Sequence, residues 1–227
     1  MATATPALQA AASATSEIPI LGTSVTDYAF ALEIDGWTGT VGGNISGTSD
    51  LAPLDQQAAM IQELFPDAKN IGLLYCSAEA NSQYQVDEMT KYLTELGLTA
   101  TAFAFTDTND VASVAQAACD ASDVLYIPTD NTAASNTEAI ANVVLPAKVP
   151  VIAGEAGICE GCGIATLSIS YYDLGMTTGK MAAKILTGEA DISTMPIEFT
   201  TATPKYNASM CETLGITPLE GYTAIAE

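Results

Sequence analysis

Four short apolar runs end abruptly in residues that can hydrogen-bond or ionise. Val124 to Ile127 leads to Pro128, Thr129, Asp130 and Asn131, and Val149 to Ala153 leads to Gly154 and Glu155. Ile71 to Tyr75 leads to Cys76 and Ser77, with Asn81 and Ser82 close behind, and Ile18 to Leu21 leads to Gly22, Thr23 and Ser24. An ionised Asp130, with Asn131 beside it, suits an ammonium group through a charge-assisted hydrogen bond, and Glu155 occupies a similar position. The hydroxyls of Thr5 and Ser77, each just ahead of a helical stretch, suit a carboxylate together with the unpaired amides there, and Asn81 and Ser82 add donors. Thr26 and Asp27 lie just beyond the first run and would close from the opposite wall. Where a strand passes into a helix at Tyr171 and Tyr172, one ring could stack on an aromatic group. Each polar position also has an ordinary alternative, because Asp, Asn, Ser and Thr cap helices and form turns.

Much familiar chemistry is excluded by composition. All six basic residues are Lys, and the chain has neither Arg nor His. A Ser-His-Asp relay, a histidine-rich metal site and a bidentate Arg clamp therefore cannot be built. The net charge of -21 repels nucleic-acid phosphates and anionic membrane surfaces, so no nucleic-acid partner is expected. No G-x-G-x-x-G or P-loop occurs, and no cofactor or metal is expected. The five cysteines include Cys159 and Cys162 at C-x-x-C spacing. Read as lying in a Gly-rich loop, this pair fits a local disulfide, spectator thiols, a redox dithiol or half a zinc site. A disulfide is the favoured reading and points to an extracytoplasmic home. No apolar run approaches the roughly 20 residues that span a bilayer, and no export signal is visible.

The elements that would position these residues alternate between apolar runs and helical periodicity, the pattern of a doubly wound α/β sheet. Thr5 reads as an N-cap with Pro6 at the first helical position. The Gly- and Thr-rich stretch from Asp35 to Asp50 reads as a connector with an extended piece at Val41 to Ile45, and Trp37 in it reads as a surface staple. A helix opens at Asp50 or Pro53, and later helices are expected over Asp110 to Ala118, Thr137 to Pro146, Tyr172 to Leu186 and Asn207 to Leu214. Strands are expected at Ile18 to Leu21, Ile71 to Tyr75, Thr99 to Phe105, Val124 to Ile127, Val149 to Ala153, Ile164 to Ser170 and Ile197 to Thr201. In an open parallel sheet the carboxyl ends of the strands face one crevice, where ligands bind.

The segments NISGTSDLAPLDQQ, CSAEANSQYQVDEM, PTDNTAASNTEAI, PVIAGEAG and LSISYYDLGMTTGKMAAKIL resemble, in this order, the ABC-transporter substrate-binding proteins of the tryptophan/tyrosine-binding type. The resemblance implies a type I periplasmic-binding-protein fold: α/β, with two doubly wound parallel-sheet lobes joined by a hinge. It also implies an incomplete first lobe, since family members carry further strand-helix units before the Ala-Thr-Pro segment. The first lobe would take 1–49 and 164–190 and the second 50–163 and 191–227, with crossings at Asn44 to Asp50, Cys162 to Thr166 and Asp191 to Ile197. The implied protein is a monomer and not an enzyme. It would hold a small amino acid-like ligand, its partner would be an ABC permease, and its full-length form would be periplasmic or a cell-surface lipoprotein. Two other functions share such a cleft. One is a ligand sensor for a signalling partner; the other is a doubly wound enzyme using Asp130 and Glu155 or a redox Cys159/Cys162 pair.

Overall fold

A computed structural model describes residues 1–225. The chain runs β1 (Ala2–Thr3), α1 (Thr5–Ala14), β2 (Ile20–Val25), α2 (Tyr28–Ala31), β3 (Ile45–Ser49), α3 (Leu54–Leu64), β4 (Asn70–Cys76) and α4 (Ala80–Glu95). It continues through β5 (Thr99–Phe105), α5 (Val111–Ala121), β6 (Val124–Ile127), α6 (Asn131–Ala134), α7 (Thr137–Ala147), β7 (Val151–Ala153) and α8 (Ala156–Cys162). The last elements are β8 (Ala165–Ser168), α9 (Tyr171–Leu186), a 3-10 turn at Ile192–Thr194, β9 (Thr203–Tyr206), α10 (Ala208–Leu214) and β10 (Thr223–Ala224). Two units result, one from Met1–Leu51 with Ile169–Thr201 and the other from Ala52–Ser168 with Ala202–Glu227.

The first unit is built on three parallel strands in the order β1-β2-β3. Neighbouring residues of a strand face opposite sides, so Ile20 joins Leu8 of α1, Val25, Tyr28 and Ile45, while Leu21 joins Met181 of α9, Ile192 and Met195. A helix thus covers each face of the sheet. Between β2 and β3 the Tyr28 hydroxyl donates to Thr48 O at 3.1 Å. Room for that ring comes from two glycines: a Cβ on Gly22 would lie 2.4 Å from the Tyr28 hydroxyl, and one on Gly47 would lie 2.1 Å from Gly22 O. The hydroxyls of Thr23, Thr48 and Thr178 form a buried network tying β2, β3 and α9, with Thr178 2.9 Å from Thr48 and 3.0 Å from Thr23.

The second unit has a seven-stranded sheet in the order β10-β9-β8-β7-β6-β4-β5. Strands β4 and β6 are almost wholly apolar and buried, as expected of central parallel strands covered on both faces, whereas β5 is an edge strand with mostly exposed side chains. Helix α5 buries Val111, Ala115, Ala118 and Cys119, one stripe at helical spacing. The strands from β4 to β8 run parallel; β9 is antiparallel to β8. Successive strands step to one side from β4 to β5 and to the other from β6 to β8, so the topological switch point lies between β4 and β6.

Several expectations are corrected. The first strand runs from Ile20 to Val25, because Ile18 is exposed and Pro19 has no N–H for the ladder. Residues 41–44 make a turn and the extended piece is β3, which is part of the first unit's sheet. The late strand is Thr203–Tyr206: Ile197 is buried in the first unit's core and Glu198 makes only a single bridge, to Thr48. Strand β8 pairs with β7 and β9 and so belongs to the second unit, while residues 191–201 stay with the first; the chain passes between units at 51/52, 168/169 and 201/202. The Cys159 and Cys162 pair lies on helix α8 and not in a loop, and all five cysteines are free and buried. Burial leads in raising both thiols, with Cys162 pushed up to about 12, so neither is a thiolate near neutral pH. The expected disulfide is therefore absent, and its pointer to compartment goes with it.

Gly47→Ala should lower the unfolding free energy by about 3 kcal/mol, because the added methyl overlaps backbone and not a movable side-chain tip. Chemical denaturation that finds a loss under about 1 kcal/mol would contradict this account of the β2/β3 contact.

Candidate functional site

In the second unit the carboxyl ends of β4 and β6, on either side of the switch point, carry a network centred on Glu79. Its Oε1 accepts from Thr132 N (2.8 Å) and Thr132 Oγ1 (2.7 Å), and its Oε2 from Asn131 N (3.0 Å), Asn131 Nδ2 (2.6 Å) and Asn81 Nδ2 (3.1 Å). Asn81 Nδ2 also donates to Thr129 O at 3.1 Å. A carboxylate and a carbonyl can only accept, so these partners fix which way the Asn81 amide points. Its Oδ1 is left as a buried acceptor with no donor.

Asp130 is 2% exposed and acts as the N-cap of α6. Its Oδ1 accepts from Ala133 N and its Oδ2 from Cys76 N, both at 2.7 Å, and Ser82 adds a side-chain hydrogen bond. The residue ties the end of β4 to the start of α6. Glu155 caps α8 in the same manner, accepting from Gly157 N at 2.7 Å and from Ile158 N. Ser77 is exposed, and its N–H and hydroxyl both donate to Phe105 O, at 2.9 and 3.2 Å. Asn81, Ser82, Asp130 and Asn131 are thus brought together; Ser77 and Glu155 stand at neighbouring strand ends.

The first unit presents a second group at the carboxyl edge of its sheet. Asp50, which follows β3, is buried; it accepts from Thr26 Oγ1 at 3.1 Å and from the Tyr171 hydroxyl at 3.4 Å. The Tyr171 ring remains 40% exposed, and Tyr172 is more so at 76%. Asp27 caps α2, accepting from Phe30 N at 2.7 Å. Thr5 is the first residue of α1 and not its N-cap, a place held by Ala4. The Thr5 hydroxyl is buried without a partner.

Sequence reasoning missed Glu79 and Asp50. Glu79 follows its strand by three residues within an Ala-rich turn, and Asp50 was absorbed into a presumed connector. A buried carboxylate needs several donors, and four of the five to Glu79, on Asn131 and Thr132, lie more than fifty residues away. Among the described residues no group of three or more Cys, Asp or Glu could hold a metal ion, and no helix is long and apolar enough to cross a membrane.

The carboxylates of the second unit respond to pH in opposite directions. Burial raises Glu79, but hydrogen bonds from Thr132, Asn131 and Asn81 outweigh it and hold the group below its ordinary 4.5. Burial, followed by the charge of Glu79, raises Asp130 above 3.8, and burial raises Glu155 above 4.5. A carboxyl lowered by folding adds stability above its unfolded value and loses it as pH falls through the folded one. A raised carboxyl adds stability as pH falls through its folded value, in full below the unfolded one. Asp130 and Glu155 are raised, while Glu79 and Asp123, the latter held by the Lys69 and Asn70 N–H groups, are lowered, so the melting temperature should rise as pH falls toward the carboxylate range and drop once pH passes below the ordinary values of 4.5 and 3.8. A steady fall from pH 8 to 5 would contradict this balance. Asp130→Asn turns a donor toward the Cys76 N–H and should cost about 2 kcal/mol in a denaturant melt.

The model of the family described as ABC transporter substrate binding protein matches residues 1–226. A tyrosine-binding protein of Clostridioides difficile is 34% identical over 189 residues, 83% of this chain and 54% of its own length. The chain therefore spans about half the length of that curated relative. Among solved structures, an ABC domain from Streptococcus pneumoniae in complex with L-Trp superposes with a TM-score of 0.91 at 34% identity, covering 98% of this chain and 79% of that one. A conserved domain protein from Vibrio cholerae gives 0.91 at 32%, covering 98% and 76%. The α/β architecture read from the sequence is thus that of a type I periplasmic binding protein, and the chain belongs to the family of ABC transporter substrate binding proteins.

Proposed function

We propose that this protein captures a small amino acid-like ligand with an aromatic side chain and delivers it to an ABC permease in the membrane. The observation that carries this reading is the chemistry of the sheet edges: in both units the carboxyl ends of parallel strands bear buried polar groups. The tyrosine-binding relative and the L-Trp complex support an aromatic amino acid as the ligand. Closure by bending at the three crossings would let both units contact the ligand, and ligand binding would then shift the population toward the closed state. The protein works outside the cytoplasm as a monomer.

The ammonium end falls to Asp50. Asp130 was the expectation, but each of its oxygens accepts a backbone N–H as part of the α6 cap. Two hydroxyls, of Thr26 and Tyr171, hold the Asp50 carboxylate in place at the end of β3. The exposed Tyr171 ring suits stacking on the aromatic side chain. From the second unit, Asn81 Oδ1 and the exposed Asn131 offer further polar contacts.

Thermal-shift measurements against the twenty amino acids test the reading, since a ligand at 100 times its Kd adds about 2.7 kcal/mol. Tryptophan, tyrosine or phenylalanine should raise the melting temperature selectively, and calorimetry should give one site. Asp50→Asn should weaken that binding by about 1.5 to 3 kcal/mol, the range for hydrogen bonds to charged groups. A cooperative melt that none of the twenty shifts would remove amino acids from consideration.

A further inference from the structure

We infer that the N-terminal end of α1 is the subsite for the ligand carboxylate, with Thr5 as the residue that selects for it; this rests on the amino-acid reading above. Thr5 is 3% exposed, and its hydroxyl has no hydrogen-bond partner. A buried hydroxyl without a partner is unfavourable, so one at a strand end calls for an acceptor supplied from elsewhere. The backbone around it has the same need. The Ala4 N–H donates back to Thr23 O at 3.0 Å, and the first bond within the helix is Leu8 N–H to Ala4 O at 3.1 Å. The amides of Thr5 and Ala7 precede that bond, and Pro6 has no N–H at all. Ala4, at the N-cap, has no side-chain oxygen to satisfy them, and the first turn holds no acidic residue. The other helices of this unit differ: Asp27 caps α2 and Ser170 caps α9.

One hydroxyl, two amides and the positive end of the helix dipole make a donor set sized for the two oxygens of a carboxylate. The position fits a zwitterion as well. Strands β1, β2 and β3 are parallel, so Thr5 after β1, Thr26 after β2 and Asp50 after β3 share one edge of the sheet. Opposite ends of an amino acid would then meet opposite charges on that edge.

Calorimetry with L-tryptophan, L-tyrosine, tryptamine and tyramine tests the assignment on the parent protein and on Thr5→Val, Thr5→Ala and Thr5→Ser. The parent should bind its amino acid at least about tenfold more tightly than the matching amine, which lacks the carboxylate. Thr5→Val should lower amino-acid affinity about tenfold or more while leaving the amine unchanged, and Thr5→Ser should retain the parent's preference. Thr5→Ala reads the same loss should valine crowd the site. Removing an unpaired hydroxyl should leave the ligand-free melting temperature of the Val or Ala variant equal to or above the parent's, whereas a merely structural Thr5 would lower it. Wild-type amino-acid affinity in a folded Thr5→Val or Thr5→Ala protein, or an equal loss for acid and amine, would overturn the subsite while leaving the amino-acid reading intact. Failure of the parent to bind either amino acid would overturn both.

Discussion

Glu79 sits inside the second unit as an anion whose five hydrogen bonds come from backbone, amide and hydroxyl donors. This way of solvating charge recurs throughout the molecule. Asp130 and Glu155 rest on the backbone N–H groups of α6 and α8, and Asp50 rests on two hydroxyls. The chain has 27 acidic residues against 6 lysines, and among the described residues its single ion pair, Lys91 with Glu88, lies at the surface. Buried carboxylates must therefore be stabilised by fixed dipoles. Such dipoles are found where helices begin, and in a parallel α/β fold most helices begin at the carboxyl ends of strands.

That constraint binds architecture to function. The strand ends that need polar residues to start helices are also the edge at which parallel sheets bind ligands. Asp130 and Glu155 are occupied by capping, and their oxygens meet protein donors. Asn81 Oδ1 and Thr5 Oγ1 differ in being buried without partners, one an acceptor in the second unit and the other a hydroxyl in the first. Polar groups at the same kind of position therefore separate into those whose hydrogen bonds hold the fold and those that the protein's own groups leave unmatched. The separation follows hydrogen-bond satisfaction and not residue type, since Asp130 had the stronger claim as an ionised side chain.

The cysteines make a related point about local spacing. Cys159 and Cys162 have the separation of a redox or disulfide pair, yet one turn of α8 carries both into the core. There Cys162 Sγ donates to Ile158 O at 3.4 Å, and Asn207 Nδ2 binds Cys159 O at 3.0 Å. Glu155 supplies the helix start that the Gly-rich sequence concealed. A cap four residues ahead of the first cysteine is the available signal, at a position the sequence also offers as a binding residue.

The sequence by itself determined the α/β class, most strands and helices to within a few residues, the exclusion of His- and Arg-based chemistry, and the membership implied by five ordered segments. These are properties of composition, of periodicities that alternate between 2 and 3.6 residues, and of local strings, so they survive without knowledge of contacts. Tertiary structure alone decided that β8 joins the second sheet while Ile197 joins the first core, that Asp130 is a cap, and that Glu79 and Asp50 organise the two strand edges. Each of those outcomes depends on partners distant in sequence: Asp130 meets Cys76 fifty-four residues away, and Asp50 meets Tyr171 across 121. A single residue's type states what it can donate or accept, and only the folded chain states whether that capacity has already been used.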